Sequence, residues 1–189
     1  QVSVPIIVRT PMGAGRGYGC THSQSLEKHI VGVPGLNVYI LHHRVNIKRF
    51  YSHLLLNSRD PSVVIENKLL YPVRGDREII NGFEIYETDE IYPTTIVMPD
   101  EDPDITICAF GRMAMIAEEA AAELYEEEEI FVELFFPLSV APLNISAILD
   151  SVKKTKKLVI IEEGSPFYNL GSEILARTSE NWDDVQPFR

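Results

Sequence analysis

Apolar positions along the chain fall into short runs separated by helical stripes. Val4–Val8 is a continuous apolar run of the kind found in a buried strand. Thr21–Ile30 reads as a helix, and Leu36–Leu41 as a second strand after the Pro34-Gly35 turn. Ile47, Phe50, Tyr51, Leu54 and Leu55 recur at helical spacing. That helix is expected to end near Ser58, because Pro61 disfavours helix just ahead of itself. Ser62–Ile65 is a third strand. Strands alternating with helices over short connections predict a parallel sheet.

The pattern breaks between Pro72 and Pro103, where prolines recur and the acidic run Asp100-Glu101-Asp102 stands. This stretch reads as a connection carrying short strands such as Phe83–Tyr86. Alternation then resumes with strands Ile105–Phe110, Ile130–Phe135 and Leu158–Ile161. A stripe of Met113, Ile116, Ala117, Ala120, Ala121, Leu124 and Tyr125 predicts an amphipathic helix between the first two. Ile145, Ile148, Leu149 and Val152 mark another, and a last helix is expected over Leu170–Thr178. The expected organisation is α/β throughout: residues 1–75, a linker over 76–103, and a second unit over 104–189.

Composition bounds the function. Hydrophobic residues make up 45% of the 189, enough for a proper core. The net charge of −11 argues against nucleic acid or a membrane surface as partner, since phosphate recognition needs clustered Lys and Arg. Only Lys153, Lys154, Lys156 and Lys157 cluster, and they suit a helix C-terminus. Apolar runs fall well short of the roughly 20 residues that span a bilayer. Cys20 and Cys108 lack any zinc-type spacing, which fits a reduced compartment, cytoplasmic or an organelle matrix. Glu126–Glu129 at a helix end should be solvated, because consecutive carboxylates there diverge rather than converge on a metal.

The densest chemistry lies in R-T-P-M-G-A-G-R-G-Y-G-C-T-H-S-Q-S-L-E, residues 9–27. Glycines at 13, 15, 17 and 19 offer no packed face, so they form a loop whose backbone can approach a ligand or another chain closely. The loop delivers Thr21, His22, Ser23 and Gln24 to an expected helix start, which Thr21 or Ser23 would cap. Histidine titrates near neutral pH and can move a proton with little driving force lost. From the residues alone, His22 is equally a proton-transfer group or a helix-start side chain bonding a loop carbonyl. The glycines do not fit the dinucleotide G-x-G-x-x-G register, and no Walker lysine follows. His29, His42, His43 and His53 read as surface or interface residues, and Glu162-Glu163, just after a strand, as an interface or solvated pair.

G-R-G-Y-G-C-T-H-S-Q-S-L-E resembles the signature of the β-type subunit, or β-type half, of the E1 component of the thiamine-diphosphate-dependent 2-oxo acid dehydrogenases. Further pieces resemble that family in the same order: Val33–Val38, Arg59–Tyr71, Asp104–Ile107, Gly111–Met113 and Ser151–Thr155. The resemblance implies part of a pyrimidine-binding domain followed by a transketolase C-terminal-type α/β domain. It implies thiamine-diphosphate-dependent oxidative decarboxylation of a 2-oxo acid with acyl transfer to a lipoyl carrier. His22 would lie at the reactive end of the cofactor. The diphosphate and Mg2+ would be held by an α-type E1 half or subunit. Potassium would be held mainly by backbone carbonyls around Ile6, Ile7, Leu55, Ser58 and Asp60. Further partners would be the lipoyl-bearing E2 acyltransferase and a second copy, through the C-terminal domain. The likeness begins partway through the family's first domain and stops before its closing strand, so the chain is expected to be a piece of a longer polypeptide. A non-catalytic dimerisation or docking module, or another transketolase-like synthase, is the alternative.

Overall fold

A computed structural model of the chain describes residues 3–74 and 79–182. Nine strands and four helices are found among them: β1 (Ile7–Met12), β2 (Asn37–Leu41), α1 (Ile47–Asn57), β3 (Ser62–Asn67), β4 (Phe83–Glu87), β5 (Thr94–Pro99), β6 (Ile105–Ala109), α2 (Met113–Glu128), β7 (Val132–Pro137), β8 (Ser139–Ala141), α3 (Ser146–Thr155), β9 (Leu158–Ile161) and α4 (Leu170–Glu180). They build two sheets, in the orders β1-β3-β2-β8 and β4-β5-β7-β6-β9. β1, β3 and β2 run parallel, as do β7, β6 and β9, and antiparallel strands complete each sheet. The mixed α/β architecture with parallel strands agrees with the reading of the sequence.

Strand alternation decides which core each side chain joins. In β2, Tyr39 and Leu41 face α1, where they meet Phe50 and Leu54, while Val38 and Ile40 point the other way. Burial on both faces makes β2 read as an unbroken apolar run. The face carrying Val38, Ile40 and Ile65 packs into the same cluster as Cys108 and Phe135 of the second sheet and Ile148 and Ile174 of α3 and α4. Ile148 and Ile174 are almost fully buried, each contributing roughly 1.5–3 kcal/mol of transfer free energy. The opposite face of the second sheet, with Val97, Ile107, Leu134 and Phe136, takes α2.

The helices begin and end where local chemistry directs. Asn46 caps α1 by accepting from the Arg49 N–H at 2.9 Å, and Asn169 caps α4 by accepting from the Ser172 N–H at 2.9 Å. α2 closes on Glu129 in the left-handed conformation, and Glu126–Glu129 are all exposed, as their charge demands.

The structure differs from the sequence reading in four places. β1 starts later and runs on through Thr10-Pro11-Met12 up to the first glycine. Proline is tolerated there because β1 is an edge strand. Between β1 and β2 stands a single 3-10 turn, Glu27–His29, rather than a helix over Thr21–Ile30. That stretch has Leu26 and Ile30 but no sustained apolar stripe, and its Ser, Thr and Gln side chains compete for the backbone. α2 turns Ala114, Ala117, Glu118 and Ala121 inward and leaves Ile116 and Ala120 outside. Small alanines let the helix lie close to the sheet, and the Glu118 carboxylate is drawn in by the buried Arg44 guanidinium and the His43 ring. Finally, the short strand expected at Phe83–Tyr86 is present as β4, but with β5 it joins the second sheet instead of standing apart as a connection.

Candidate functional site

The C-terminal ends of β1, β3, β6 and β9 converge, the favoured place for a site in parallel α/β folds. Met12, Asn67, Phe110 and Glu162 line a small cavity of about 30 Å3 between them. A cleft of about 350 Å3 lies beside it, lined by Ala14, Gln24, Lys28, His29 and Glu163 among others. Larger clefts exist elsewhere, such as one of about 380 Å3 between α1 and the β4–β5 turn. They lack the glycine loop and the convergence of strand ends.

The loop leaves β1 at Gly13. All four of its glycines adopt positive φ, from +71° to +103°. At Gly13 a side chain is excluded twice over, because a Cβ would sit 2.3 Å from Asn67 Nδ2. Gly17 and Gly19 have nothing within 4 Å of the corresponding position, so the middle of the loop is open. His22 is exposed near the far end of the loop. Its N–H bonds the Gly19 carbonyl at 3.4 Å, and its own carbonyl accepts from Lys68 Nζ. The His22 imidazole makes no hydrogen bond or ion pair among the described residues. Neither Thr21 nor Ser23 caps a helix: the residue before the 3-10 turn is Leu26, with no side-chain cap.

Three carboxylates surround the loop's root. Glu162 accepts the Leu170 and Gly171 N–H groups at the start of α4, at 3.2 and 3.0 Å. Glu163 accepts the Ala14 N–H with one oxygen and Asn67 Nδ2 with the other, at 3.1 Å. Glu27 is buried beside both. Burial raises the Glu27 carboxyl above the usual carboxylate range, with Glu162 and Glu163 adding to it. Burial raises Glu162 as well, against the pull of the two α4 amides. Glu162-Glu163 is thus an internal junction between the second sheet, α4 and the glycine loop, not a solvated pair.

Two further polar groups escaped sequence reasoning. Glu66 of β3 takes Arg9 in a two-pronged pair at 2.7 and 2.9 Å, and the hydroxyls of Tyr51 and Tyr71 at 2.5 and 3.0 Å. Burial alone would raise the Glu66 carboxyl, but these four donors hold it below the usual range. His42 and His43 are buried rather than superficial, 3% and 5% exposed. They directly follow β2, an inner strand of the first sheet, and both rings lie against Phe136 of β7. His43 Nε2 lies 2.9 Å from Glu118 Oε2, and Arg44 grips both Glu118 oxygens at 2.9 Å. Burial, then the neighbouring His43, lowers His42 to about 3. No spacing signal could have found these groups, because the ion pairs that fix them, Arg9–Glu66 and Arg44–Glu118, join residues 57 and 74 positions apart.

The residues expected to hold potassium lie at the other end of β1, roughly 20 Å away over six residues. The Ile6 carbonyl accepts from the Ser62 N–H at 2.8 Å. The Asp60 carbonyl accepts from the hydroxyls of Ser58 and Ser62 at 3.1 and 3.2 Å. Ile6, Ser58 and Asp60 are therefore gathered where β1 and β3 begin, while Leu55 is exposed on α1. Among the described residues no group of three or more His, Cys, Asp or Glu side chains could hold a metal ion, and no helix is long and apolar enough to cross a membrane.

Comparison with known proteins gives this geometry a context. Residues 95–186 match the family "Transketolase, C-terminal domain". The chain is 34% identical over 182 residues to the mitochondrial pyruvate dehydrogenase E1 component subunit beta-1 of Oryza sativa subsp. japonica, covering 96% of this chain and 47% of that protein. It is 32% identical to the β subunit of acetoin:2,6-dichlorophenolindophenol oxidoreductase of Bacillus subtilis, covering 98% of this chain and 52% of that one. The chain thus spans about half the length of the curated relatives it matches. Among solved structures, a split-gene transketolase described as an inactive β4 tetramer shares the fold with a TM-score of 0.71 at 20% identity, over 97% of this chain and 56% of that one. Residues 95–186 thus match a transketolase C-terminal domain, and nearly the whole chain is similar to β subunits of pyruvate dehydrogenase E1 and of an acetoin oxidoreductase.

Proposed function

We propose that this chain is the β-type part of a 2-oxo acid dehydrogenase E1 component. The whole protein would decarboxylate a 2-oxo acid oxidatively and pass the acyl group to a lipoyl carrier. The observation that carries this reading is collinear relatedness to E1 β subunits over 96% of the chain, including the loop that presents His22. When bound, thiamine diphosphate supplies the electron sink for decarboxylation. The residues present suit its reactive end: an open glycine backbone allows close approach, and the His22 side chain is exposed. His22 then gives or takes a proton at its ring nitrogen during acyl transfer. No residue of this chain is assigned to the diphosphate or to Mg2+; these go to an α-type subunit. Ile6, Ile7, Leu55, Ser58 and Asp60 remain the proposed potassium carbonyls. The remaining proposed partners are the E2 acyltransferase and a second copy through the C-terminal domain, in an organelle matrix or the cytoplasm.

The test is His22→Ala in the complete protein assembled with its α-type partner. Lipoyl acylation should slow by a factor on the order of 10²–10⁴, the usual cost of a lost general acid or base, with little change in cofactor affinity. Near-normal acylation by a stably folded variant would remove His22 from the mechanism.

A further inference from the structure

We propose that Glu163 and Lys68 are positioning residues for His22, holding the two ends of the glycine loop so that the imidazole stays in one place. The proposal rests on the reading of His22 as the proton-transfer group, and extends it to side chains outside the loop.

The middle of the loop cannot position anything by itself. Glycines at 13, 15, 17 and 19 carry the greatest backbone freedom of any residue, and nothing packs against Gly17 or Gly19. Order must come from the ends. At the entry, Glu163 Oε1 accepts the Ala14 N–H and Oε2 accepts Asn67 Nδ2 at 3.1 Å. Asn67 cannot turn its amide over freely, because its Oδ1 accepts the Leu69 N–H at 3.0 Å. Gly13 lies directly on the same amide. At the exit, the Lys68 ammonium donates to the His22 carbonyl, a charge-assisted bond to the very residue whose side chain is at issue. Asn67 and Lys68 are consecutive at the end of β3, so both anchors meet one rigid strand end.

Glu163 makes these bonds from within an acidic corner. It shares its corner with Glu27 and Glu162, and contributes to the raised Glu27 carboxyl. A third carboxylate there works against its neighbours, so its value lies in what it holds. It follows the last strand of the second sheet, so the transketolase C-terminal half secures a loop that emerges from the first half. That arrangement couples the docking of the two halves to the placing of His22.

Cys20 offers a direct readout, because it is exposed within the loop while Cys108 is fully buried. A nitroxide on Cys20 of this chain should show a mobile spectral fraction at least threefold larger in Glu163→Ala and in Lys68→Met, returning towards the parent in Lys68→Arg. In the complete enzyme the same two variants should lower kcat for lipoyl acylation tenfold or more, with KM for the 2-oxo acid unchanged and Lys68→Arg restoring most of the rate. His22→Ala is assayed alongside. Unchanged spectra would overturn the anchoring. Changed spectra with parent kcat, while His22→Ala is slow, would overturn the positioning role alone. A fast His22→Ala would instead overturn the acid–base reading, and the positioning role with it.

Discussion

Replacing His42 by glutamine should remove a large part of this chain's acid sensitivity. His42 is 3% exposed, sits 5.6 Å from the Phe136 ring and accepts the Arg44 N–H on Nδ1 at 3.3 Å. Its Nε2 is buried with no partner among the described residues. In the folded protein it therefore resists protonation down to about 3, whereas an unfolded histidine protonates near 6.5. The folded value is depressed, so the contribution is whole above pH 6.5 and is lost as the pH falls towards 3. Linkage puts the loss at about 2 kcal/mol by pH 5, from a shift of 1.4 kcal/mol per pH unit below 6.5. Glutamine carries no charge at either pH, so only the parent loses this amount. Glu118 and Glu66, which weaken the fold in acid, and Glu27 and Glu162, which oppose that trend, are present in both proteins and cancel in the difference. Urea titrations at pH 8 and pH 5 give the four free energies. The parent should lose about 2 kcal/mol more than His42→Gln, or roughly 4–8 °C in Tm. Parallel losses, within about 0.5 kcal/mol, would show that His42 charges in the folded state and refute the argument.

Glu118→Ala should cost about 3 kcal/mol or more in urea denaturation at neutral pH, because it strips the carboxylate from the buried His43 and Arg44 side chains. Gly13→Ala should destabilise by about 1–3 kcal/mol and displace Asn67, whereas Gly17→Ala, with open space around it, should cost only the roughly 1 kcal/mol of its backbone conformation. Melting temperatures that rank the two glycine variants the other way would contradict the contact at Asn67.

The sequence was most informative where burial imposes a period. α1, α3 and α4 are recoverable from apolar spacing, and the buried strands β2 and β6 from unbroken apolar runs, because each element's inner face is decided locally. The reading failed where a distant group decides. The phase of α2 follows from Glu118 turning towards Arg44, 74 residues away. β8 is three residues long and is a strand only because it pairs with β2. In the site, the glycine loop and His22 could be singled out because glycine and histidine are conspicuous by type. Glu163, Asn67 and Lys68 could not be given their parts, since a carboxylate 149 residues from Ala14 has no local signal of what it holds.

β7 and β8 are separated by one residue, Leu138, yet they belong to different sheets. The chain thus returns to the first sheet after entering the second, and β8 closes the edge of β2 that would otherwise stand open. Cutting the polypeptide between the sheets would not release two self-sufficient modules. The piece ending before β8 would retain three parallel strands with β2 unpaired along one side, a template for aggregation. Covalent separability and structural separability part company here. A two-piece version of this protein would behave as a complementation system, in which the downstream piece donates its short strand to finish the upstream one. Recombination that exchanges only one half would have to respect the β2–β8 seam as strictly as any core position.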